Sequence, residues 1–178
     1  MRTISVMMLA MSVAGAGSGS AQSMASAQPH AQALRTAWDG AKKNIVESST
    51  IMEEANYAFK PVETVRTFGQ ILGHVAGANY VFCSAAKGEK PPHAEDAFEK
   101  LATKAEIVMA VADSMAYCDS ALAGATDAKL AETIDMPFGM GKAPRASAVM
   151  MNVGHLNEHY GNLVTYFRIK GIVPPSSR

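Results

Sequence analysis

The chain has 178 residues, 48% of them hydrophobic, and its 16 Lys and Arg residues balance its 16 Asp and Glu residues. This length and apolar content suit one globular domain with a sizeable core. The lack of a basic stripe argues against nucleic acid as a partner, and nothing after residue 25 approaches the roughly 18 unbroken apolar residues of a membrane span.

The N-terminal segment has the layout of a secretory signal peptide. Arg2 precedes an apolar run from Ile4 to Ala16, and small residues lead to a predicted cleavage site after Ala21. A disordered or lipid-facing arm is the alternative, and no cysteine follows the apolar run to support a lipoprotein anchor. We therefore predict a signal peptide at 1–21, a mature domain at 22–178, and a periplasmic or extracellular protein.

Two amphipathic helices are predicted in the first half of the mature chain. The first runs from about Pro29 to Ala55, and its apolar residues recur at helical spacing: Leu34, Trp38, Ala41, Ile45 and Met52. The second follows Thr67, which forms a capping-box pattern with Gln70, and ends before Gly88. Its apolar face contains Phe68, Ile71, Leu72, Val75, Ala78 and Phe82.

Two further helices are predicted in the second half. The third spans about Ala94 to Leu122, with apolar residues three and four apart as in a bundle seam: Phe98, Leu101, Ala105, Val108, Ala112 and Met115. The stretch 123–142 is expected to be looser and in part extended, and the fourth helix runs from near Pro144 to Gly171. No strand alternation is long enough for a sheet, so the pattern predicts an all-α four-helix bundle.

The two cysteines are Cys83 and Cys118. Export of a chain with two cysteines favours one disulfide, which would close a loop of about 35 residues and stabilise the fold by roughly 3–4 kcal/mol. Two free thiols are the alternative. Cys83 lies far along the second helix from His74 and on its opposite face, so it is not expected to share a ligand with that histidine.

His155, Glu158 and His159 form the H-x-x-E-H pattern of the inverted zinc proteases. Helical spacing places Glu158 on the opposite side of the fourth helix from the apolar stripe, where it should face water. A protease with this signature also needs a later carboxylate ligand, and the residues after His159 contain no Asp or Glu. The protease interpretation fails on both counts, and we interpret Glu158 as a surface residue.

A histidine triad is the remaining candidate site. Side chains four apart on a helix point the same way, so His155 and His159 can bind one ion. His74, at the edge of the apolar stripe of the second helix, is the candidate third ligand, whereas His30 and His93 are expected to be exposed bystanders. Small residues beside His74 leave room for another helix or a ligand: Gly73, Ala76 and Gly77. Three half-buried histidines without a metal are the alternative, and the spacing favours the metal.

The stretches "GHVAGANY" and "HLNEHYGNLVTYFRIKGIVPPS" resemble the DinB-like, or YfiT-like, family of metalloenzymes, and the resemblance covers nearly the whole mature chain. It implies a four-helix bundle in which His74, His155 and His159 hold one divalent metal, commonly zinc or nickel, with iron or manganese as alternatives. It also implies open coordination positions filled by water. Some relatives transfer low-molecular-weight thiols or isomerise a thiol-dependent substrate. Such thiols are mainly cytosolic reagents, so the predicted export argues against thiol transfer as the reaction of this protein.

Two functions of different kinds follow. Three neutral imidazoles leave the charge of a divalent ion uncompensated, which favours ionisation of a bound water or thiol and suits a metal-dependent hydrolase or transferase. No carboxylate is obvious as a general base, so a noncatalytic module that binds a metal or a small ligand is the alternative. Asn152 could orient a ligand but is better interpreted as a hydrogen-bonding residue of the bundle. The expected partner is a small-molecule substrate or ligand, without nucleic acid or membrane, and a homodimer is left open.

Overall fold

The chain is described from residue 28 to residue 178 by a computed structural model. Its helices are α1 (Pro29–Ile51), α2 (Phe68–Lys87), α3 (Lys104–Leu122), the short α4 (Asp127–Ala131) and α5 (Arg145–Ile169). The four long helices confirm the predicted all-α bundle. Within this part of the chain, no helix combines the length and the apolar character that crossing a membrane requires. The predicted signal peptide at 1–21 lies outside the described residues.

Helix α2 is the central helix of the bundle. It is buried on almost every side and packs against both α3 and α5, as expected of a helix whose residues are mostly apolar or small all round. The four long helices contribute fully buried side chains to one core, including Ile45, Leu72, Met115 and Leu156. Each such side chain stabilises the fold by roughly 1.5–3 kcal/mol. A polar residue on α2 is therefore held inside the protein by its neighbours.

The N-terminal end of α2 has the predicted capping box. The Thr67 hydroxyl accepts a hydrogen bond from the Gln70 backbone N–H at 3.2 Å, and the Gln70 side-chain oxygen accepts one from the Thr67 N–H at 2.9 Å. Helix α2 ends at Gly88, whose φ of 75° lies in the left-handed region that glycine adopts without strain. Both ends of the helix that carries His74 are thus set by local sequence.

The predicted third helix begins too early, because residues 94–103 form a loop of turns and α3 starts only at Lys104. Thr103 caps α3, since its hydroxyl accepts from the backbone N–H of Glu106 at 3.2 Å. The 94–103 loop instead packs against two glycines of α2. A Cβ atom added to Gly77 would lie 1.8 Å from the Glu95 carbonyl oxygen, and one added to Gly73 would lie 2.4 Å from a backbone oxygen of the same loop. The room beside His74 is therefore filled by a loop.

The stretch 123–142 is partly extended, as expected, but it also begins a small hairpin that ends two residues later. Strands β1 (Thr133–Asp135) and β2 (Lys142–Pro144) pair antiparallel, with Ile134 opposite Ala143. Strands of three residues are too short to show alternation in the sequence. The turn between them places the Phe138 ring against that of Phe82 on α2, with ring centroids 5.7 Å apart.

The predicted cysteine pair joins α2 to α3. The sulfur atoms of Cys83 and Cys118 lie at bonding distance, and their Cα atoms are 5.3 Å apart. The Asn152 side-chain amide on α5 donates to these two sulfurs at 3.4 Å and 3.6 Å. Three helices therefore meet at the disulfide, and Asn152 is the hydrogen-bonding residue of the bundle that the sequence suggested.

Candidate metal centre

Three histidine side chains meet where α2 packs against α5. The Nε2 atom of His155 lies 3.1 Å from that of His74 and 3.0 Å from that of His159. A zinc ion binds imidazole nitrogen at about 2.0–2.1 Å, so one ion can bridge nitrogens that are up to roughly 4 Å apart. The structure thus brings together the three residues that the sequence singled out and supplies a group that could hold a metal ion.

The helices position these rings in two different ways. His155 and His159 are one turn apart on α5, and their ring centroids are 4.3 Å apart, as the spacing of four predicts. His74 comes from the opposite wall, with its ring 5.0 Å from that of His155 and 4.9 Å from that of His159. His74 and His159 are buried, and His155 is half-buried. The site is therefore enclosed by protein on most sides.

Burial keeps the two α5 histidines neutral. The pKa of His155 is lowered to about 3, chiefly by desolvation on burial and then by electrostatic interactions with His159, His74 and Arg66. The pKa of His159 is lowered to about 4 by burial and by His74, and the negative charge of Glu158 offsets part of this effect. Both rings are unprotonated near neutral pH, which is the form that binds a metal.

Hydrogen bonds among the three rings cannot satisfy all three Nε2 atoms. The Nδ1 atom of His74 lies 3.0 Å from a Glu99 carboxylate oxygen, and in the tautomer that donates to this oxygen the Nε2 atom is an acceptor. If the Nε2 atom of His155 is protonated, it can donate to only one of the two neighbouring Nε2 atoms. If it is not protonated, its contact with Nε2 of His74 brings two acceptors together. A cation at the meeting point removes this conflict. The donor set therefore fits a divalent metal, for which imidazole is a common ligand.

Glu99 and Glu95 are carboxylates beside the site that the sequence analysis did not identify. Glu99 also accepts from the Arg66 guanidinium, at 3.1 Å from Nε and 3.2 Å from Nη2. Glu95 lies 3.8 Å from His74 Nε2, beyond hydrogen-bonding distance. Both residues were missed because the 94–103 loop was interpreted as helix. The two glycines that flank His74 were the available signal, since glycine often marks a close approach of another backbone.

A cavity of about 810 Å³ opens onto the site at His159. Its wall includes Arg66, Glu99, Glu158 and Tyr166. Glu158 is exposed, as predicted, and lines this cavity without joining the histidine group. A smaller cavity of about 300 Å³ surrounds Arg145, and no histidine or cysteine lines it. The larger cavity is therefore the route by which a small molecule could reach the histidines.

The opposite side of the site is apolar. The Phe82 ring lies 5.8 Å from that of His155, and the Phe138 ring contacts the Phe82 ring edge to face. The bystander histidines lie elsewhere: His30 and His93 are both exposed, and His93 packs against Tyr80 with ring centroids 4.7 Å apart. Neither belongs to the group of three, in agreement with the sequence analysis.

A family model described as the DinB superfamily matches residues 23–163. A DinB-like protein from Bacillus cereus is 17% identical with a TM-score of 0.69, and the match covers 81% of this chain and 95% of that one. A conserved protein from Enterococcus faecalis is 18% identical with a TM-score of 0.61, over 77% of this chain and 94% of that one.

A third similar structure is the mycothiol-dependent maleylpyruvate isomerase. It is 16% identical with a TM-score of 0.62, and the match covers 75% of this chain but only 60% of the isomerase. At these sequence identities, the similarity to the three structures establishes a shared fold. It does not establish a shared chemistry. A comparison with curated proteins found no significant match.

Proposed function

The chain belongs to the DinB superfamily, and on that basis we propose that it is a metal-dependent hydrolase or transferase whose His74, His155 and His159 hold one divalent ion. The observation that carries this proposal is the convergence of three Nε2 atoms, with two separations of 3.0 and 3.1 Å. Zinc or nickel is proposed first, as the family resemblance implies, and iron or manganese second, because imidazole suits zinc, nickel and iron alike.

The metal, when bound, would supply a Lewis acid that lowers the pKa of a bound water or thiol. The chain's own residues supply the surroundings for such chemistry. The cavity of about 810 Å³ has the size of a small-molecule site and reaches the histidines at His159. Its cations are already paired, Arg66 with Glu99 and Lys60 with Glu63. This wall therefore offers an anionic substrate no unpaired side-chain cation among the described residues.

We also propose that the mature protein, residues 22–178, is exported. The order of charge, apolar run and small residues in the first 21 positions supports export, and so does the pairing of Cys83 with Cys118. The isomerase of similar fold depends on a thiol, mycothiol. Because such thiols are mainly cytosolic, hydrolysis is the more suitable reaction for an exported protein.

Elemental analysis of the purified mature protein tests the metal site. We expect about one equivalent of divalent metal in the native protein and in Glu158→Ala, whose side chain is exposed, and almost none in His74→Ala. Retention of metal by His74→Ala, or its loss from Glu158→Ala, would mean that the ligands are chosen wrongly. Metal binding without any metal-dependent turnover of small esters, amides or thiol adducts would support the noncatalytic module instead.

N-terminal sequencing of material released from the producing cells tests the proposed export. The expected sequence begins just after Ala21. Protein that keeps Met1 and stays in the cytoplasm would exclude export without affecting the metal proposal.

A further inference from the structure

We propose that Glu99 is the positioning residue of the metal centre: it holds His74 in the tautomer that presents the Nε2 lone pair to the shared ion. The inference rests on the proposed metal function and assigns a role to a residue that binds no metal itself. Its starting observation is the 3.0 Å contact between His74 Nδ1 and Glu99 Oε1 on the side of the ring that faces away from the other histidines.

The chemistry of the two groups fixes the direction of this hydrogen bond. A neutral imidazole has one N–H, on either Nδ1 or Nε2, and an ionised carboxylate only accepts. A hydrogen bond between His74 and Glu99 therefore requires the proton on Nδ1, and it leaves Nε2 with a free lone pair. A carboxylate behind a metal-binding histidine also orients the ring and makes the metal-facing nitrogen a stronger ligand.

The carboxylate of Glu99 is itself held in place by the positively charged side chain of Arg66. Arg66 donates two hydrogen bonds to its two carboxylate oxygens, a forked geometry that restricts the carboxylate more than a single contact would. The backbone oxygen of Arg66 in turn accepts a hydrogen bond of 2.6 Å from the hydroxyl of Tyr166 on α5. The side chain of Glu99 is only 20% exposed, so water competes weakly for its oxygens. These contacts connect the support of His74 to the helix that carries the other two histidines.

The backbone approach that delivers Glu99 depends on glycine. Gly73 and Gly77 lie one residue before and three residues after His74, and at each the loop backbone occupies the space of a Cβ atom. Any side chain at these two positions would push the 94–103 loop away from α2. This shift would move the Glu99 carboxylate away from His74 Nδ1. The sequence around His74 is therefore adapted to receive this loop as well as to place the imidazole.

The two α5 histidines lack a comparable support. Their Nδ1 atoms are buried and have no hydrogen-bond partner within residues 28–178. Helical spacing on one rigid element already orients His155 and His159 relative to each other. His74 comes from a different helix, so its ring orientation needs a separate constraint, and Glu99 provides it.

Zinc affinity of the mature protein, measured by competition with a chromophoric chelator, tests the role of Glu99. We expect Glu99→Ala to weaken zinc binding about 10–100-fold, as for other outer carboxylates. Glu99→Gln keeps an acceptor oxygen and should lose less. The control Glu158→Gln removes the same charge at the mouth of the same cavity and should change affinity less than about fivefold. Unchanged affinity in Glu99→Ala, even with a lower melting temperature, would reduce Glu99 to a structural residue and overturn the proposal.

Ring-nitrogen NMR of the metal-free protein provides a readout that does not depend on metal. His74 should carry its proton on Nδ1 in the native protein and shift towards the Nε2–H form in Glu99→Ala. A native protein with the proton on His74 Nε2 would overturn the proposal. If the native protein binds no divalent metal, the proposed function fails, and the tautomer still decides whether Glu99 positions His74. Should Glu99→Ala not fold, Glu99→Met, which is of similar length and has no acceptor oxygen, replaces it in both measurements.

Discussion

Helix α2 is joined to its neighbours at two places that differ in kind. Cys83 pairs with Cys118 of α3 in the core, where Cys118 is fully buried and the added hydrogen bonds come from a neutral amide, that of Asn152. Nine residues earlier, His74 meets α5 beside a cavity and contacts the charged Glu99. The first junction crosslinks the fold away from solvent, whereas the second combines burial with access and charge. Chemistry is expected only at the second.

Helix α5 contributes to both junctions, through Asn152 at the disulfide and His155 one turn later at the histidines. The two junctions are nevertheless predicted to be separable: loss of the crosslink should affect stability, and loss of a histidine should affect metal binding. The following experiments test this separation, beginning with the largest effect.

Replacement of one α5 histidine should have the largest effect. In His159→Ala, His74 and His155 remain as a two-nitrogen site, and we expect zinc affinity to fall at least about 1,000-fold, or ~4 kcal/mol. The unfolding midpoint of the metal-free variant should change little, because a buried ring nitrogen without a partner is also removed. Isothermal titration and thermal unfolding measure the two quantities. A variant that still binds zinc tightly would show that the α5 pair is not the core of the site.

Removal of the crosslink should show the reverse pattern. The double variant Cys83→Ser with Cys118→Ser should lower the free energy of unfolding by about 3–4 kcal/mol, measured by urea denaturation, and should keep most of its zinc affinity. A reductant should destabilise the native protein and leave the double variant unchanged. Thiol titration of the unreduced, denatured native protein should detect no thiol; two titrating thiols would refute the disulfide.

Gly77→Ala should affect both properties to a smaller extent. The added methyl group would meet the Glu95 carbonyl oxygen, so the 94–103 loop must move, at a cost of about 1–3 kcal/mol in stability. Displacement of Glu99 should also weaken zinc binding. Gly40→Ala on α1 is the matched control, because nothing lies within 4 Å of its added Cβ; alanine there should be neutral or stabilising by up to about 1 kcal/mol. Equal behaviour of the two variants would contradict the close approach of the loop.

A pH dependence that belongs to the histidine junction is also expected. Burial lowers the pKa of His155 to about 3 and of His159 to about 4 in the folded protein, whereas an unfolded histidine titrates near 6.5. The unfolded chain therefore binds more protons below about pH 6.5. The contribution of these two rings to the free energy of unfolding is fully present above that pH. It is lost as the pH falls towards about 4 and then 3.

Thermal unfolding of the metal-free protein between pH 7.5 and 4.5 measures this effect. The melting temperature should fall with pH more steeply in the native protein than in a variant with His155→Asn and His159→Asn. Parallel curves would show that neither ring is held neutral by burial. The carboxylates that titrate in the same range are common to both proteins and do not affect the comparison.

Local patterns in the sequence were sufficient for several parts of this molecule. The spacing of His155 and His159 placed both rings on one face of α5, because a helix repeats every 3.6 residues whatever surrounds it. Thr67 and Gln70 marked the start of α2, since their hydrogen bonds form within one turn. Apolar periodicity predicted the four long helices, and the two cysteines had one possible pairing within the chain.

Tertiary packing alone decided the rest. The apolar spacing of Phe98 and Leu101 fits a helix, yet residues 94–103 form a loop because α2 offers glycines that accept its backbone. Whether Glu99 faces solvent or the ring of His74 depends on that contact between distant segments, which no pattern within one segment encodes. The lowered pKa of His155 is likewise a consequence of burial. The sequence by itself therefore determined which histidines could form a site, and the packed fold decided their charge, their support and their access to a ligand.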